Sequence, residues 1–509
     1  MRAAAFVAGV AAALAQPPFG FLPGLLGYAL ILYLLDRADP ATPLRSAFGR
    51  AWFAGAGYFL VSVWWLSEPF QVDAANQGWM APFAVALVTA GMALFWGAAG
   101  LLYRFVRPRG VRRVLVFAGA FAAFAWLRGN ILTGFPWDLP GETWKAGSPV
   151  SQVAALVGAY GLTWITLAIA AAPAVIAEGW RGRASVAAAA LALAGLYAFG
   201  ALRLSGAPGI APGAPQIRVV QADVSQASKY DPALFASIVA RYVALTKIPA
   251  PRAPDIVIWP EGAIPAALQE YLVPGTWTQA DIAGALQPGQ TLILGGYRYG
   301  DARANPPVIY NSLVALRRQP SGFSLLGIYD KFRLVPFGEY MPLDSLASRL
   351  GIKTFVHVGD GFSPGPRPKP MALPGVPPMQ PLICYEALYP GFTREGAEAA
   401  GFRADWIVNI SNDAWFGATS GPLQHLNMAS YRAIEEGLPM VRATPTGVSA
   451  MIDAFGRPLA SLPEGALGVI DRPLPPALEP TPFARFGEIP FGVMLLVSVA
   501  LAGWRRRAA

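Results

Sequence analysis

Seven apolar runs crowd into the first 202 residues, at 3–14, 19–35, 48–66, 79–106, 114–127, 150–176 and 184–202, and an eighth lies at 489–504. In lipid a backbone has to satisfy its own hydrogen bonds, so runs of this kind are expected to fold as helices that cross the bilayer. A transmembrane bundle of about eight spans follows. Composition agrees, with 54% of residues hydrophobic and 14% charged, far from the average of soluble domains. The run at 3–14 has Arg2 before it and small residues around Ala15, the outline of a signal peptide. Further spans follow at once, and it is read as the first of them.

A net charge of +9 could suggest nucleic acid, but the basic residues lie between the apolar runs and at the C-terminal end, not in a patch interleaved with aromatic rings. Arg37, Arg45 and Arg50 follow the second run; Arg104, Arg107, Arg109, Arg112 and Arg113 the fourth; Arg181 and Arg183 the sixth; Arg505, Arg506 and Arg507 the eighth. The loop at 67–78 has no basic residue and carries Glu68 and Asp73, and the loop after the fifth run sets Arg128 and Lys145 against Asp138 and Glu142. Because Lys and Arg collect on the cytoplasmic side, both termini are placed inside and the segment between the seventh and eighth runs outside.

That outer segment, residues 217–472, follows seven spans (1–205) and a flexible linker at 206–216, and its texture is different. Short β-branched runs recur, as IRVVQA, DIVIWPE, TLILGG, NSLVAL, LGIYDK, PLICYE, DWIVNI, PMVRAT and VSAMID, with helical patterns at 234–246 and 423–436. The alternation predicts an α+β domain with a core of its own. The proline-rich stretch SPGPRPKPMALPGVPPMQP reads as a surface loop. A second linker, 473–488, leads to the last helix and basic tail at 489–509.

Cys384 is the single cysteine, so an internal disulfide and a multi-cysteine metal site are excluded. The residue is either an inert buried thiol or a nucleophile, and a nucleophile needs a base or a positive neighbour to become thiolate. The two histidines, His357 and His425, read as ordinary structural residues. Glu261 ends DIVIWPE and Lys331 ends LGIYDK, both at strand ends like the thiol. Lys331 alone could be a solvated strand terminus. Together they offer a carboxylate able to take a thiol proton and an ammonium able to stabilise a thiolate or an oxyanion.

WPEGAIP, YDKFRLVPFGEYMP and LICYE resemble, in order, the Glu, Lys and Cys boxes of the nitrilase superfamily of carbon–nitrogen hydrolases. With spans on both sides, and with VQADVSQASKYDP, YNSLVAL, SNDAWFG and LRGNILTGFPW, the whole chain resembles the apolipoprotein N-acyltransferase family. The resemblance implies a nitrilase-like αββα sandwich in which Cys384 is the nucleophile, Glu261 the general base and Lys331 the stabiliser of the tetrahedral intermediate, aided by the N–H of Tyr385. It also implies that Glu339 supports the lysine or the base and that Tyr385 and Glu386 shape an acyl pocket, with purely structural roles as the alternative for the two glutamates. Asn311, in YNSLVAL, joins the supporting residues. Trp415 fits either an exposed arm that meets lipid or lipoprotein or a core position, and Tyr230 stands where the family more often has Trp.

By the same resemblance the acyl donor is a phospholipid, typically phosphatidylethanolamine. The acceptor is the α-amino group of a diacylglyceryl-cysteine on an apolipoprotein, and a cysteine thioester links the two steps. No metal or organic cofactor is required. The expected setting is the bacterial inner membrane, with the catalytic domain periplasmic and the protein working as a monomer. Two rivals share parts of the pattern: a membrane-anchored amidase or nitrilase with water as second substrate, and a transporter or receptor whose outer domain only binds ligand.

Overall fold

The computed structural model of the chain describes residues 1–301, 304, 308–341 and 361–503. His357 and the basic tail residues Arg505, Arg506 and Arg507 lie outside the described residues. The chain divides into two compact units, one made of Met1–Ala207, Thr419–Gly437 and Glu479–Ala509, the other of Pro208–Ala418 and Leu438–Leu478.

The first unit is helical, and each of the eight apolar runs falls on a helix: Arg2–Leu14, Leu26–Asp36, Pro43–Val63, Ala81–Val106, Arg113–Asn130, Ala154–Ala171, Gly179–Ser205 and Ile489–Gly503. Among the described residues four stretches, Ala74–Val106, Gly110–Asn130, Val150–Val175 and Gly179–Ser205, are long and apolar enough to cross a membrane. Their outer faces carry large apolar side chains, Leu87 at 75% and Leu191 at 74% exposure, a pattern that suits lipid and not water. Helices Arg2–Leu14 and Pro43–Val63 touch backbone to backbone, because a Cβ on Gly9 or Gly57 would strike the carbonyl oxygen of Ala54 or Phe6.

The helix Gly421–Glu436 belongs to this unit, although its sequence lies inside the segment expected to form a separate outer domain. The reason is polar as well as apolar. Gln424 donates to Asp138 Oδ2 at 3.0 Å, Ala146 N donates to Asn427 Oδ1 at 2.8 Å, and Ala159 N donates to Glu435 Oε1 at 2.8 Å. Tyr431 and Ile434 add apolar contact with Ala146, Val153, Ala154 and Leu162. His425 is buried on the same helix, its ring 6.0 Å from that of Trp137.

The second unit holds two six-stranded sheets among the described residues. One has the order β12–β1–β2–β3–β4–β5, with β1 Gln216–Gln221, β2 Ile256–Ile258, β3 Thr291–Tyr299, β4 Ile309–Gln319, β5 Gly322–Asp330 and β12 Gly468–Pro473. The other runs β11–β10–β9–β8–β7–β6, with β6 Met371–Leu373, β7 Val376–Ile383, β8 Trp406–Ile410, β9 Met440–Ala443, β10 Ser449–Ile452 and β11 Pro458–Leu462. Three neighbouring strands in each sheet are parallel, β1–β2–β3 and β7–β8–β9. The strand period of two sorts the side chains. Ile217, Val219, Ile256, Ile258, Ile293 and Leu313 enter the core shared with Met379, Ile383, Val408, Ile410 and Val441 of the other sheet. Val220, Val257, Leu292, Leu294 and Val314 face a second core with Val239 and Tyr242 of the helix Phe235–Thr246.

Each of the nine β-branched runs contains strand residues. The proline-rich stretch is a correction, because it contains β6 and most of β7 instead of forming a loop. β6 pairs with β7 only as far as Met379, while β8 pairs with β7 from Met379 to Ile383. Much of β7 therefore has a ladder on one side only, where a proline's missing N–H does no harm.

Candidate active site

Three strand ends of the sheet unit bring the site together. After β2 the chain stays on β3 for two more residues: Trp259 N donates to Ile293 O at 2.8 Å, and Gly295 N donates to Pro260 O at 3.3 Å. Glu261 comes next. A Cβ on Gly295 would lie 2.6 Å from Glu261 Cα, so only glycine lets the carboxylate's backbone sit this deep. Lys331 follows β5 directly and is clamped at both ends, its N–H donating to Asn311 O and its carbonyl accepting from Gly365 N, each at 2.8 Å. Asp330 beside it accepts from Arg298 at 2.8 and 2.5 Å and from Ser312 Oγ at 2.6 Å. Cys384 follows β7 and opens the turn Cys384–Leu388 with φ of 50°, a left-handed conformation that costs a non-glycine residue about 1–3 kcal/mol and concentrates at functional positions.

Lys331 Nζ lies 3.4 Å from Glu261 Oε1 and 2.9 Å from Glu339 Oε1. Asn311, on β4, donates one amide to the same two oxygens, at 2.6 and 2.7 Å. Glu339 Oε2 accepts from Val335 N at 2.8 Å, so both of its oxygens are occupied. Burial alone would strip the proton from Lys331, but Glu261 and Glu339 more than offset it and hold the ammonium well above its ordinary range. Glu261 Oε2 is different: it is buried and has no hydrogen-bond partner among the described residues.

The thiol of Cys384 is pushed up to about 12, by desolvation first and then by the charges of Glu261 and Asp413, with Lys331 and a hydrogen bond from Ser411 opposing. It is therefore protonated at neutral pH and needs a base. Ser411 Oγ donates to Asp413 Oδ1 at 2.7 Å, and Arg442 grips both oxygens of Asp413 at 2.9 and 2.7 Å while also donating to Asn409. Sequence reasoning quoted SNDAWFG and PMVRAT without giving these residues a role. The signal was there in Arg442, a charge inside an apolar β-branched run, which a central strand buries only with a partner.

Glu386 is fully buried. Its Oε1 accepts from Tyr329 Oη at 2.7 Å, Phe332 N at 2.8 Å and Arg333 N at 3.1 Å, and its Oε2 from Ile383 N at 2.8 Å. Burial pushes its pKa up to about 7 against those donors. This carboxylate ties the residue before Cys384 to the segment just after Lys331, which is the structural alternative raised for it above. Tyr385 is buried with its ring edge-on to Tyr389, centroids 5.2 Å apart. Trp415 is half-buried in the turn Asp413–Phe416, and Tyr230 is 40% exposed just after the short helix Gln226–Lys229. Among the described residues no group of three His, Cys, Asp or Glu side chains could hold a metal.

Residues 216–480 match the carbon-nitrogen hydrolase family, and residues 8–172 match the apolipoprotein N-acyltransferase N-terminal domain. An apolipoprotein N-acyltransferase of Caulobacter vibrioides is 57% identical over 499 residues, which is 97% of this chain and 93% of that protein. The chain belongs to the apolipoprotein N-acyltransferase family. Another relative of that name, from Bradyrhizobium diazoefficiens, is 37% identical over 529 residues, with 99% of this chain and 95% of the relative covered. Among solved structures an amidase from Nesterenkonia sp. is similar at 17% identity and a TM-score of 0.35, covering 52% of this chain and 93% of its own. As a member of the apolipoprotein N-acyltransferase family, whose curated relatives match nearly end to end, the chain is an acyltransferase with a carbon-nitrogen hydrolase domain. The hydrolase and the non-catalytic receptor readings are not favoured.

Proposed function

We propose that Cys384 takes an acyl chain from a membrane phospholipid as a thioester and passes it to the α-amino group at the N-terminus of a diacylglyceryl apolipoprotein. The observation that carries this is that Glu261 Oε2 has no hydrogen-bond partner among the described residues, while the charge of Glu261 helps to hold the Cys384 thiol protonated. In the first half-reaction Oε2 takes the thiol proton while sulfur attacks the ester carbonyl. The oxyanion forms against Lys331 Nζ, with the N–H of Tyr385 as second donor. Collapse expels the glycerol oxygen, which takes the proton from Glu261 and leaves as lysophospholipid. In the second half-reaction the acceptor's neutral amine attacks the thioester, Glu261 takes a proton from the nitrogen, and the amide forms as the thiolate departs and is reprotonated.

Glu339 and Asn311 serve this scheme by fixing Lys331 and Glu261 Oε1, which turns Oε2 toward the reaction. Glu386 keeps the nucleophile's turn in register with the lysine. Eight spans, with both termini cytoplasmic and the sheet unit periplasmic, fit the distribution of basic loops. That side suits the scheme, because an exported acceptor stays tethered by its lipid to the outer leaflet of the inner membrane.

The test adds substrates in sequence to the purified protein in detergent. Phosphatidylethanolamine alone should release about one lysophospholipid per enzyme, and a diacylglyceryl-cysteinyl peptide added afterwards should emerge N-acylated. Free fatty acid as the main product with the peptide present would replace the transferase scheme by hydrolysis.

A further inference from the structure

Lys229 closes the short helix Gln226–Lys229 and is half-buried. Its Nζ donates to Asn412 Oδ1 at 3.2 Å, and Asn412 in turn donates to Gln226 Oε1 at 2.9 Å, so the accepting amide is fixed. A Cβ on Gly262, the residue after Glu261, would stand 3.6 Å from this Nζ. A second ammonium therefore stands at the turn that carries the base. It is not matched as Lys331 is. Its hydrogen-bond partner is a neutral amide, and the carboxylate near it, Glu261, already has Oε1 held by Lys331 and Asn311. An ammonium has three N–H donors, and among the described residues one is engaged.

We propose that Lys229 recognises the phosphodiester of the acyl donor, a reading that rests on a glycerophospholipid being that donor. Lysine binds phosphate as a point charge, and in such a lipid the phosphate is only a few bonds from the ester carbonyl that the thiol attacks. The acceptor presents the opposite charge, an ammonium, until it loses its proton. A cation at the Glu261 turn thus favours the anionic phosphodiester of the donor over the cationic end of the acceptor. Desolvation lowers Lys229 to about 8, against the pull of Glu261, which leaves it mostly charged at neutral pH.

Acyl-enzyme formation would be followed in single turnover by intact mass, from phosphatidylethanolamine and from a p-nitrophenyl acyl ester, which has no phosphate. In Lys229→Met the ratio of the phospholipid rate to the ester rate should fall about tenfold or more, the loss of one charge-assisted hydrogen bond. Lys229→Arg should restore most of it. Lys229→Gln, which can still reach Asn412, gives the same reading if the Met variant fails to insert. A wild-type ratio in the charge-removing variants, whether both rates stay normal or both drop, overturns the assignment. Wild-type enzyme that is acylated by the ester and never by the phospholipid removes the donor reading itself, and the assignment with it.

Discussion

In the helical unit Arg432 lies between Glu142 and Glu435, 3.5 Å from the first and 2.6 Å from the second; in the sheet unit Lys331 lies between Glu261 and Glu339, at 3.4 and 2.9 Å. All six side chains are buried. In the arginine cluster every carboxylate oxygen has a hydrogen-bond or ion-pair partner: Leu139 N serves Glu142 Oε2, Ala159 N serves Glu435 Oε1, and the other two oxygens, which accept no hydrogen bond among the described residues, face the Arg432 guanidinium. In the lysine cluster Glu261 Oε2 has none among the described residues. A guanidinium is a fork that can engage several oxygens, whereas an ammonium is a point that gathers one oxygen from each glutamate. The closed arrangement fastens a helix; the open one leaves Glu261 Oε2 available for the role of base proposed for it.

The largest expected effect breaks the open cluster. Glu261→Gln keeps the bonds to Oε1 and removes the base, so acyl transfer should fall about 10²- to 10⁴-fold while the protein still inserts. Normal turnover in that variant would exclude Glu261 as the base. The same variant should also change how the thiol's reactivity depends on pH. Because the thiol is held up near 12, thiolate is scarce below that pH, and without the carboxylate iodoacetamide labelling should climb about tenfold per pH unit through the neutral range. Wild-type labelling should be flatter there, since Glu261 takes the proton in place. Equal slopes would count against the pairing.

Breaking the closed cluster should read out in stability. Arg432→Met strands two buried carboxylates and is expected to cost about 3–5 kcal/mol, seen as a lower midpoint of thermal aggregation in detergent. An unchanged midpoint would mean that the cluster is no lock. The smallest effect concerns the clamp that Glu386 makes between the end of β7 and the segment around Lys331. Tyr329→Phe removes one of the donors to Glu386, worth about 1 kcal/mol, so the acylation rate should drop about two- to tenfold. No change would make that hydroxyl irrelevant to the register of Cys384.

Much of this was legible in the sequence, and what was not has physical reasons. Strand-end positions of Glu261, Lys331 and Cys384 follow from short apolar runs that stop at a polar residue, and β1 to β5 sort their side chains as an alternating pattern requires. The helix Gly421–Glu436 was legible as a helix but not as part of the first unit. Its Gln424, Asn427, Arg432 and Glu435 look like a solvated face, and it is the folded chain that buries them, against the side chains of Asp138 and Glu142 and the backbone N–H groups of Ala146 and Ala159. β6 and the first part of β7 were hidden because proline argues against strand wherever both sides of a ladder are needed, and one-sided pairing cannot be read from composition. Ser411 and Asp413 lie just past the end of β8, where strand alternation no longer tells which way a side chain points.

In the proposed mechanism one buried carboxylate oxygen turns an otherwise inert sulfur into an acyl carrier. Intact-protein mass spectrometry after incubation with phospholipid alone tests it most directly. The predicted result is a single acyl adduct, released by neutral hydroxylamine, on the wild-type protein and on neither Cys384→Ala nor Glu261→Gln. An adduct of the same mass and lability on Cys384→Ala would contradict it.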